Sequence, residues 1–530
     1  MRKTKPTVGE ALVSGLKQRG VDCVFGIPGV HTIELYRGLD LDGIRHVTPR
    51  HEQGAGFMAD GYARASGKPG VAFVITGPGL TNTITPVAQA RADSVPVLVV
   101  SGVNARASLG EGMGHLHELP DQQGLMQTVV AASEHVSNPD ALNGALTRAF
   151  DAMQAARPKP AHIEVPLDVA GVTAAPLAPP APPAAPKAAA DDALQQVIAQ
   201  LTQAERVVIL AGGGIKTGGA ALQSLAESLD APVVQTTNAR GLMHQHPLTV
   251  PASPSLKPVR DLIEEADCVL ALGTELGPTD YDMYATGDMA QMRGLIRVDI
   301  CPDQIARHPH VIALCADAAT VAGQLAAQLP RRAPTDGAAR AEACRTAAWD
   351  ALSPAYRANV AMLNAMRDAL PGAQIVGDST QPIYAGNLYY DHDVAGGWFN
   401  SSTGYGALGY AIPAAIGAAI AKPDQPTICL TGDGGAQFSL PELAVAAQEG
   451  LPVRFVIWNN HGFGEIAAAM RDVDAPVIGC DPTPPRFADT AASYNMEYRQ
   501  VPDQPEALSA ALRDTAQAPG PVMIEVVIAS

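Results

Sequence analysis

The chain has 530 residues, of which 47% are hydrophobic, and it carries a formal net charge of −17. This length predicts about three domains at the usual ~150 residues each, with enough apolar residues for large cores. The strong negative charge, without a basic stripe, argues against nucleic-acid binding, and the apolar runs are of strand length, too short to cross a membrane.

The N-terminal segment 1–6 is polar and leads into a predicted amphipathic helix, with no secretory apolar core after it. The seven cysteines have irregular spacing and form no metal-type pairs. An odd, unpaired set of this kind is typical of reduced thiols, so we expect a cytoplasmic protein.

The first domain is predicted over residues 1–173, where helical patterns alternate with apolar runs. The runs at 71–75 and 95–100 predict strands buried on both faces of a parallel sheet. Two glycine-containing loops accompany this pattern, at 25–29 and 76–82.

A Pro/Ala-rich segment at 174–190 predicts a stiff, extended linker. The middle domain is predicted over residues 191–335 as a doubly wound sheet. Its first strand leads into a glycine turn at 212–214, which alone is a weak signal for a nucleotide. A hydrophilic connection near 331–339 precedes the last domain, predicted over residues 336–530.

Two neighbouring strands of the last domain end in polar residues. Gly432-Asp433-Gly434-Gly435 follows an apolar strand, and Asn460, 27 positions after Asp433, follows the next one, with a helix predicted between them at 441–450. Ligands bind at the carboxyl ends of strands in such units. Carboxylate and amide oxygens hold hard cations, and glycines admit a phosphate close to the backbone. The pattern therefore predicts Mg²⁺ that bridges the protein to a diphosphate.

The interval from Gly-Asp-Gly to Asn-Asn resembles the cofactor motif of thiamine-diphosphate enzymes, and the resemblance to the acetolactate synthase and 2-oxo acid decarboxylase branch covers essentially the whole chain. It implies an α/β fold of three doubly wound parallel-sheet domains, in the order pyrimidine-binding, middle and diphosphate-binding. It also implies that Asp433, Asn460 and the backbone carbonyl of Gly462 hold Mg²⁺.

The same resemblance assigns the remaining cofactor contacts. Glu52, in a segment at 50–64, would hydrogen-bond the aminopyrimidine ring, and Leu408 would prop thiamine diphosphate in its bent shape. The other residues expected to contact the cofactor are Gly29, Asp378, Ser379, Gly432, Asp433, Gly434, Gly435, Asn460 and Gly462.

Two further residues are expected at the substrate. His115-Leu116-His117-Glu118, within the loop at 108–118, occupies the segment that carries an active-site Gln in acetolactate synthases and His in pyruvate decarboxylases, and His117 is the candidate chosen. Glu465 lies where the substrate-facing helix of the family begins. In the implied reaction a C2 ylide attacks a 2-oxo acid, carbon dioxide leaves, and the resulting enamine is protonated to an aldehyde.

The loops look most like those of 5-guanidino-2-oxopentanoate (2-ketoarginine) decarboxylases, and Glu111, Glu118 and Glu465 are acidic residues that could pair with a guanidinium group. Pyruvate decarboxylases have Asp where this chain has Val30, followed by His31, which weakens a simple pyruvate decarboxylase assignment. The alternative is a carboligase similar to acetolactate synthase.

The resemblance also bears on partners. Some relatives bind FAD in the middle domain, but residues 250–254 differ from their flavin segment, so FAD is unlikely here without being ruled out. In the family, the pyrimidine-binding domain of one subunit meets the diphosphate-binding domain of another. A homodimer, or a tetramer built from dimers, with shared active sites is therefore expected.

Overall fold

The computed structural model describes residues 5–154, 157–182, 184–283, 285–287 and 289–528. These residues form three six-stranded sheets, and every strand pairing within the sheets is parallel. The predicted α/β fold with three parallel sheets is thus confirmed. Across the described ranges, no helix combines the length and the apolar character needed to traverse a bilayer.

The first sheet consists of β1 Cys23–Gly26, β2 Arg45–Val47, β3 Gly70–Val74, β4 Val97–Val103, β5 Ala132–His135 and β6 Ala161–Pro166. Its helices are α1 Val8–Gln18, α2 Ile33–Asp42, α3 Glu52–Ser66, α4 Pro78–Thr81, α5 Ile84–Ala92, α6 Gln122–Gln127, α7 Leu142–Gln154 and α8 Leu167–Ala170. Alternate residues of β3 enter different cores, Val71 and Phe73 on one face and Ala72 on the other. This two-sided burial explains the uninterrupted apolar run in the sequence.

The middle sheet consists of β7 Val207–Ala211, β8 Val233–Gln235, β9 Thr249–Val250, β10 Cys268–Leu272, β11 Ile296–Asp299 and β12 Ile312–Cys315. Its helices are α9 Asp191–Gln203, α10 Gly219–Leu229, α11 Lys257–Glu264, α12 Pro278–Tyr281, α13 Pro302–Ile305 and α14 Ala318–Gln328. The segment predicted as a linker has neither helix nor strand over 174–182 and 184–190, and it is held near its end by hydrogen bonds between Ala189 and Gln324.

The third sheet consists of β13 Gln374–Gly377, β14 Trp398–Asn400, β15 Thr427–Gly432, β16 Val453–Asn459, β17 Glu497–Pro502 and β18 Val522–Val527. Its helices are α15 Gly337–Ala351, α16 Pro354–Ala369, α17 Gln381–Leu388, α18 Ala411–Ala421, α19 Asp433–Ala436, α20 Leu443–Gln448, α21 Gly464–Asp472, α22 Phe487–Ser493 and α23 Pro505–Asp514. The helix predicted over 441–450 is shorter than expected: a 3-10 turn, Leu440–Glu442, precedes α20, and Gly450 has a left-handed φ of 63°.

The strand orders separate the outer sheets from the middle one. The first sheet has the order β2-β1-β3-β4-β6-β5 and the third has the order β14-β13-β15-β16-β18-β17, which is the same topology. The middle sheet has the order β12-β11-β10-β7-β8-β9. The order in which strands are added to the sheet reverses between β1 and β3, between β13 and β15, and between β7 and β10. Such switch points are where ligands bind in open parallel sheets.

The first and third domains pack directly on each other through α3 and α18. A side chain at Gly61 would overlap the carbonyl oxygen of Ala414, and one at Gly417 would overlap that of Met58. The two helices therefore approach so closely that only glycine fits at these positions. As a result, residues near the opposite ends of the sequence form one packed unit.

Candidate active site

The switch point of the third sheet carries a buried carboxylate. Asp433, the first residue of α19, follows β15 directly and is fully buried. Its Oδ2 atom has no hydrogen-bond partner, and burial raises the pKa of Asp433. A buried carboxylate oxygen without a donor is costly, so its position points to a ligand that is absent from the protein itself.

Asn460 and Gly462 complete a cluster of polar atoms around Asp433. The amide end of Asn460 that faces inward lies 3.0 Å from Asp433 Oδ1 and 2.7 Å from the carbonyl oxygen of Gly462. If that end is the amide nitrogen, it donates to both oxygens; if it is the amide oxygen, three oxygens converge without a proton between them. Converging carboxylate, amide and carbonyl oxygens are a donor set that suits Mg²⁺. The residues present therefore fit the predicted metal.

Close packing explains the glycines around this cluster. A Cβ atom at Gly434 would lie 2.5 Å from the ring of Phe463, and one at Gly462 would overlap the carbonyl oxygen of Cys480. A Cβ atom at Gly435 would lie 3.2 Å from Asp378, and one at Gly432 would lie 3.2 Å from Thr380. The motif thus brings the backbone of the β15 and β16 ends close together.

Asp378 and Leu408 meet at the same edge of the sheet. Asp378 is fully buried, and burial raises its pKa to about 6. Its carboxylate accepts hydrogen bonds from the backbone N–H of Ser379 at 2.7 Å and of Gly409 at 2.8 Å. Asp378 therefore fixes the turn that carries the half-buried Leu408, and Asp378 itself lies beside Gly435 of the cofactor motif. The contacts of Asp378 and Ser379 with a cofactor stay predictions.

Glu465 is half-buried in the first turn of α21. Burial, and after it the charge of Glu465, raise the pKa of Tyr384, whose neighbours Ser379 and Ser402 hydrogen-bond each other at 2.9 Å. Glu465 therefore lies near Tyr384 and the turn that carries Ser379, and its contact with a substrate stays a prediction.

Glu52 lies at the corresponding switch point of the first sheet. It is the first residue of α3, and Asn82 Nδ2 donates to its Oε2 at 3.0 Å. Gly79 leaves room beside Glu52, and a side chain at Gly29 would overlap Ile75. Glu52 and Gly29 are thus brought together. Asn82 belongs to the glycine loop at 76–82, but no residue pattern distinguished it as the partner of Glu52.

The structure distinguishes the two candidate histidines of segment 108–118. His115 is exposed, whereas His117 is half-buried and its ring lies 5.3 Å from that of His31. His117 also has a left-handed φ of 61°, which is uncommon outside glycine. The two histidines thus have different surroundings, and the choice of His117 as the functional member stays a prediction.

Sequence reasoning missed Glu442. This residue is 1% exposed, and its carboxylate accepts hydrogen bonds from the backbone N–H of Arg50, at 3.0 and 3.1 Å, and of His51, at 2.9 Å. Burial raises the pKa of Glu442 to about 7. Glu442 therefore ties the third domain to the start of α3, where Glu52 lies. A single acidic residue in an apolar stretch gave no signal of this long-range contact.

The two half-sites are not joined within the chain. Among the described residues, no hydrogen bond or ion pair connects Glu52, Gly29 or His117 with the Asp433 cluster. Large apolar side chains are exposed in the segments that carry them: Val30, Ile33, Met113 and Leu116 for the first, and Tyr405, Phe438, Ile466, Val473 and Ile478 for the second. Where exposed apolar side chains form a patch, they mark a surface that another molecule covers.

The glycine turn of the middle sheet has a packing role of its own. The backbone N–H of Gly214 donates to the carbonyl of Gly273 at 2.9 Å, and a Cβ atom at Gly214 would lie 2.8 Å from the Cα of Gly273. The turns that follow β7 and β10 therefore touch each other backbone to backbone. The glycines are explained by this contact, and they are not in themselves an indication of FAD.

Three family models match the chain. They are described as "Thiamine pyrophosphate enzyme, N-terminal TPP binding domain", which matches residues 6–125, "central domain", which matches residues 194–325, and "C-terminal TPP binding domain", which matches residues 378–526. Each match contains one of the three sheets in large part. Both switch points of the outer sheets lie inside the matched N-terminal and C-terminal regions.

Similar proteins cover almost the full length. The chain is 42% identical over 514 residues to the probable 2-ketoarginine decarboxylase AruI of Pseudomonas aeruginosa PAO1, covering 94% of this chain and 90% of that one. It is 30% identical over 551 residues to the acetolactate synthase isozyme 1 large subunit of Escherichia coli K12, covering 98% and 93%. The solved 4-hydroxybenzoylformate decarboxylase of Rhodococcus jostii RHA1 has the same fold, with a TM-score of 0.84, 24% identity and coverage of 98% and 99%.

Proposed function

The chain belongs to the thiamine pyrophosphate enzyme family, and on this premise we propose that it is a thiamine-diphosphate- and Mg²⁺-dependent decarboxylase of 2-oxo acids. The observation that carries the proposal is the near full-length similarity to a probable 2-ketoarginine decarboxylase, together with the presence of both half-sites in this chain. The first candidate substrate is 5-guanidino-2-oxopentanoate.

The cofactor would be held at the two outer switch points. Asp433, Asn460 and the Gly462 carbonyl would bind Mg²⁺, and the unpartnered Asp433 oxygen and the convergence of three polar atoms support this set. Glu52, oriented by Asn82, would hold the pyrimidine ring. The bound coenzyme supplies a carbon nucleophile and an electron sink, chemistry that no amino-acid side chain provides.

The chain itself would orient the substrate, exclude water and supply a proton. His117 is the proposed proton donor to the former carbonyl carbon after carbon dioxide leaves. The exposed apolar residues beside the half-sites would keep water out once they are covered, which favours loss of a charged carboxylate.

Covering these surfaces calls for a second copy of the chain. No hydrogen bond or ion pair joins the half-sites within the described residues, and exposed apolar side chains occur in the segments of both. Two copies related by a two-fold axis could place the Glu52 side of one against the Asp433 side of the other, which would complete two sites at once. We therefore propose a homodimer or a dimer of dimers, with an inactive monomer.

The acidic residues differ in their freedom to bind a guanidinium group. The carboxylate of Glu118 accepts hydrogen bonds from the backbone N–H of Gly112, Gly114 and His115, at 2.7 to 2.9 Å, and so is engaged by its own loop. Glu111 is exposed and Glu465 is half-buried. Of these two, Glu465 lies beside the cofactor half-site, and we assign it the guanidinium contact.

A panel of 2-oxo acids tests this proposal. The full-length protein with thiamine diphosphate and Mg²⁺ should release carbon dioxide from 5-guanidino-2-oxopentanoate faster than from pyruvate, and it should form the corresponding aldehyde. Glu465→Gln should raise KM for the guanidino acid and leave KM for pyruvate almost unchanged. Equal effects on both substrates would contradict the guanidinium assignment, and no decarboxylation of any acid would refute the function.

Carboligation is the second candidate, because acetolactate synthases are also similar over nearly the full length. Those enzymes carry an active-site Gln in the segment that here reads His115-Leu116-His117-Glu118, and a histidine in that segment favours protonation and release of an aldehyde. Separation of products from pyruvate decides between the two: acetaldehyde supports a decarboxylase, whereas acetolactate as the main product would establish the alternative.

A further inference from the structure

The ring of His31 lies beside the ring of His117, the proposed proton donor. His31 belongs to the 3-10 turn Val30–Thr32 at the end of β1 and is 6% exposed. Its ring centroid lies 5.3 Å from that of His117, with an angle of 42° between the planes. Two imidazoles that are 86 residues apart in sequence therefore form one contact at the first switch point.

Both rings keep a nitrogen without a partner. The Nδ1 atoms of His31 and of His117 are buried and have no hydrogen bond to any described residue. Buried ring nitrogens are normally bonded, so two orphaned ones side by side are unusual. They leave the pair free to hold or exchange a proton.

The backbone fixes the position of each ring. A Cβ atom at Gly102, in β4, would lie 2.6 Å from the carbonyl oxygen of His31, and one at Gly77 would lie 2.6 Å from that of His117. Only glycine leaves room for these approaches. His117 is in addition held in the left-handed region, at a φ of 61°. Such a strained, tightly packed arrangement persists where the surrounding structure enforces it.

The surroundings of His31 disfavour its positively charged form. Burial, and after it the positive charge of His117, lower the pKa of His31. The acidic groups on the neighbouring elements are engaged elsewhere: Glu118 bonds its own loop, and Glu34 bonds Arg37 and Thr7.

Three further titratable groups lie near the pair. Tyr36, on α2, faces His46, with its hydroxyl 3.2 Å from the His46 ring. His115, on the same loop as His117, is exposed to solvent. Glu52 lies beside Gly79, two residues after the Gly77 that packs on His117, and it accepts a hydrogen bond from Asn82. Protonation of two imidazoles in contact is coupled, because a positive charge on one disfavours a positive charge on the other.

We propose that His31 is a positioning residue that acts through His117: its ring supports the His117 ring, and its protonation is coupled to that of His117. This inference rests on the proposed decarboxylation. When the bond to the carboxylate breaks, carbon dioxide leaves and the electron pair remains with the former carbonyl carbon. A C–H bond then forms at that carbon as an N–H bond of His117 breaks, and water returns a proton to the pair.

Proton coupling between the rings can be measured without the cofactor. In full-length protein labelled with ¹³C-histidine, the C2–H resonance of His31 should titrate at a pH higher by roughly half a unit or more in His117→Asn than in the wild type, because a neighbouring positive charge is gone. His115→Asn, a change at an exposed histidine of the same loop, should leave the His31 titration unchanged. Identical His31 titrations in wild type and His117→Asn would overturn the inference.

Kinetics of the loaded enzyme test the positioning role. His31→Asn and His31→Phe, each checked for an unaltered circular dichroism spectrum, should lower kcat about 10-fold or more and move the acidic limb of the pH profile, with KM nearly constant. A wild-type kcat and pH profile in both folded variants would refute the role of His31. If the wild type decarboxylates no 2-oxo acid, the proposed function fails. The titration of His31 without cofactor still tests the coupling between the two rings.

Discussion

The outer sheets and the middle sheet are built from the same kind of βα units, but the residues at their switch points differ. In the first and third sheets, the strand ends at the switch point carry side chains with unpartnered polar atoms, His31 and His117 in one and Asp433 in the other. In the middle sheet, Gly214 and Gly273 close the corresponding space backbone to backbone. A shared architecture therefore carries unpartnered polar atoms at two switch points and is closed by backbone contact at the third.

The difference also follows strand order. The outer sheets share one topology and the middle sheet has another. Each outer sheet supplies half of the predicted cofactor site, one through an acid for the coenzyme's ring and one through oxygens for its metal. The middle sheet forms a packed domain that lies between them in the sequence. Four substitutions break or sharpen this contrast, from the largest expected effect to the smallest.

The strongest test removes the metal-facing oxygen of the third sheet. Asp433→Ala should weaken binding of thiamine diphosphate in the presence of Mg²⁺ on the order of 100-fold or more, because loss of even an indirect metal partner commonly costs 10- to 100-fold. Isothermal calorimetry measures the change. The exposed carboxylate of Asp424 provides the control, and Asp424→Ala should bind as the wild type does. Unchanged affinity in Asp433→Ala would remove the third sheet from the site.

The second test separates the roles of the two outer sheets. Glu52→Gln should lower turnover about 100-fold or more, since it removes a proton-transfer group, while binding of the diphosphate end stays within a few-fold. Steady-state kinetics and calorimetry on the same preparation report the two effects. Glu34→Gln, a change on α2, is the control. Full turnover in Glu52→Gln would show that the first sheet contributes no acid to the chemistry.

The third test concerns the contact between the outer domains. Glu442→Ala should cost about 1–3 kcal/mol of unfolding free energy, because the backbone N–H groups of Arg50 and His51 lose their acceptor inside the protein. Glu442→Gln retains an acceptor and should cost less. Urea unfolding at pH 7 compares the two variants, and equal losses would show that the hydrogen bonds are not what matters.

The same residue gives a pH dependence with a defined sign. The pKa of Glu442 rises from its usual 4.5 to about 7 on folding, so between these values the folded state binds more protons than the unfolded state. Its contribution to stability is therefore complete at low pH and is lost as the pH rises towards 7. Glu442→Gln should flatten this part of the stability profile between pH 5 and pH 8.

The smallest effect on cofactor binding is expected in the middle sheet. Gly214→Ala should destabilise the protein by about 1–3 kcal/mol through overpacking against Gly273, without changing the affinity for thiamine diphosphate. Gly219→Ala, where a Cβ atom meets only Leu242 at 3.4 Å, is the matched control and should be close to neutral. Loss of cofactor affinity in Gly214→Ala would contradict the division of labour between the sheets.

Sequence patterns predicted the parallel sheets well for physical reasons. Strands such as β15 and β16 are buried on both faces, which gives largely apolar runs that end in glycine, aspartate and asparagine. The grouping of Asp433 with Asn460 followed from this regularity, whereas Gly462 was added by the family resemblance. The roles of Asp433, Asn460 and Gly462 as metal ligands stay predictions. So do the roles of Glu52 at the pyrimidine ring and of His117 as proton donor.

Contacts between distant segments were not accessible in this way. Glu442 reaches Arg50 across 392 positions, and His31 meets His117 across two separate loops. Neither contact depends on a periodic pattern, because each is made by one side chain on an irregular segment. The shortening of the helix at 441–450 has the same origin, since Glu442 lies in the turn that reaches α3.

The close crossing of α3 and α18 has a consequence for how the polypeptide can be divided. Since this crossing joins regions from either end of the sequence, covalent continuity through the central stretch is not what keeps them together. A nick within the proline-rich stretch should leave two pieces that stay associated, and separately produced halves should complement each other. Gene fusion, splitting or permutation at that point is therefore the natural route for engineering this scaffold.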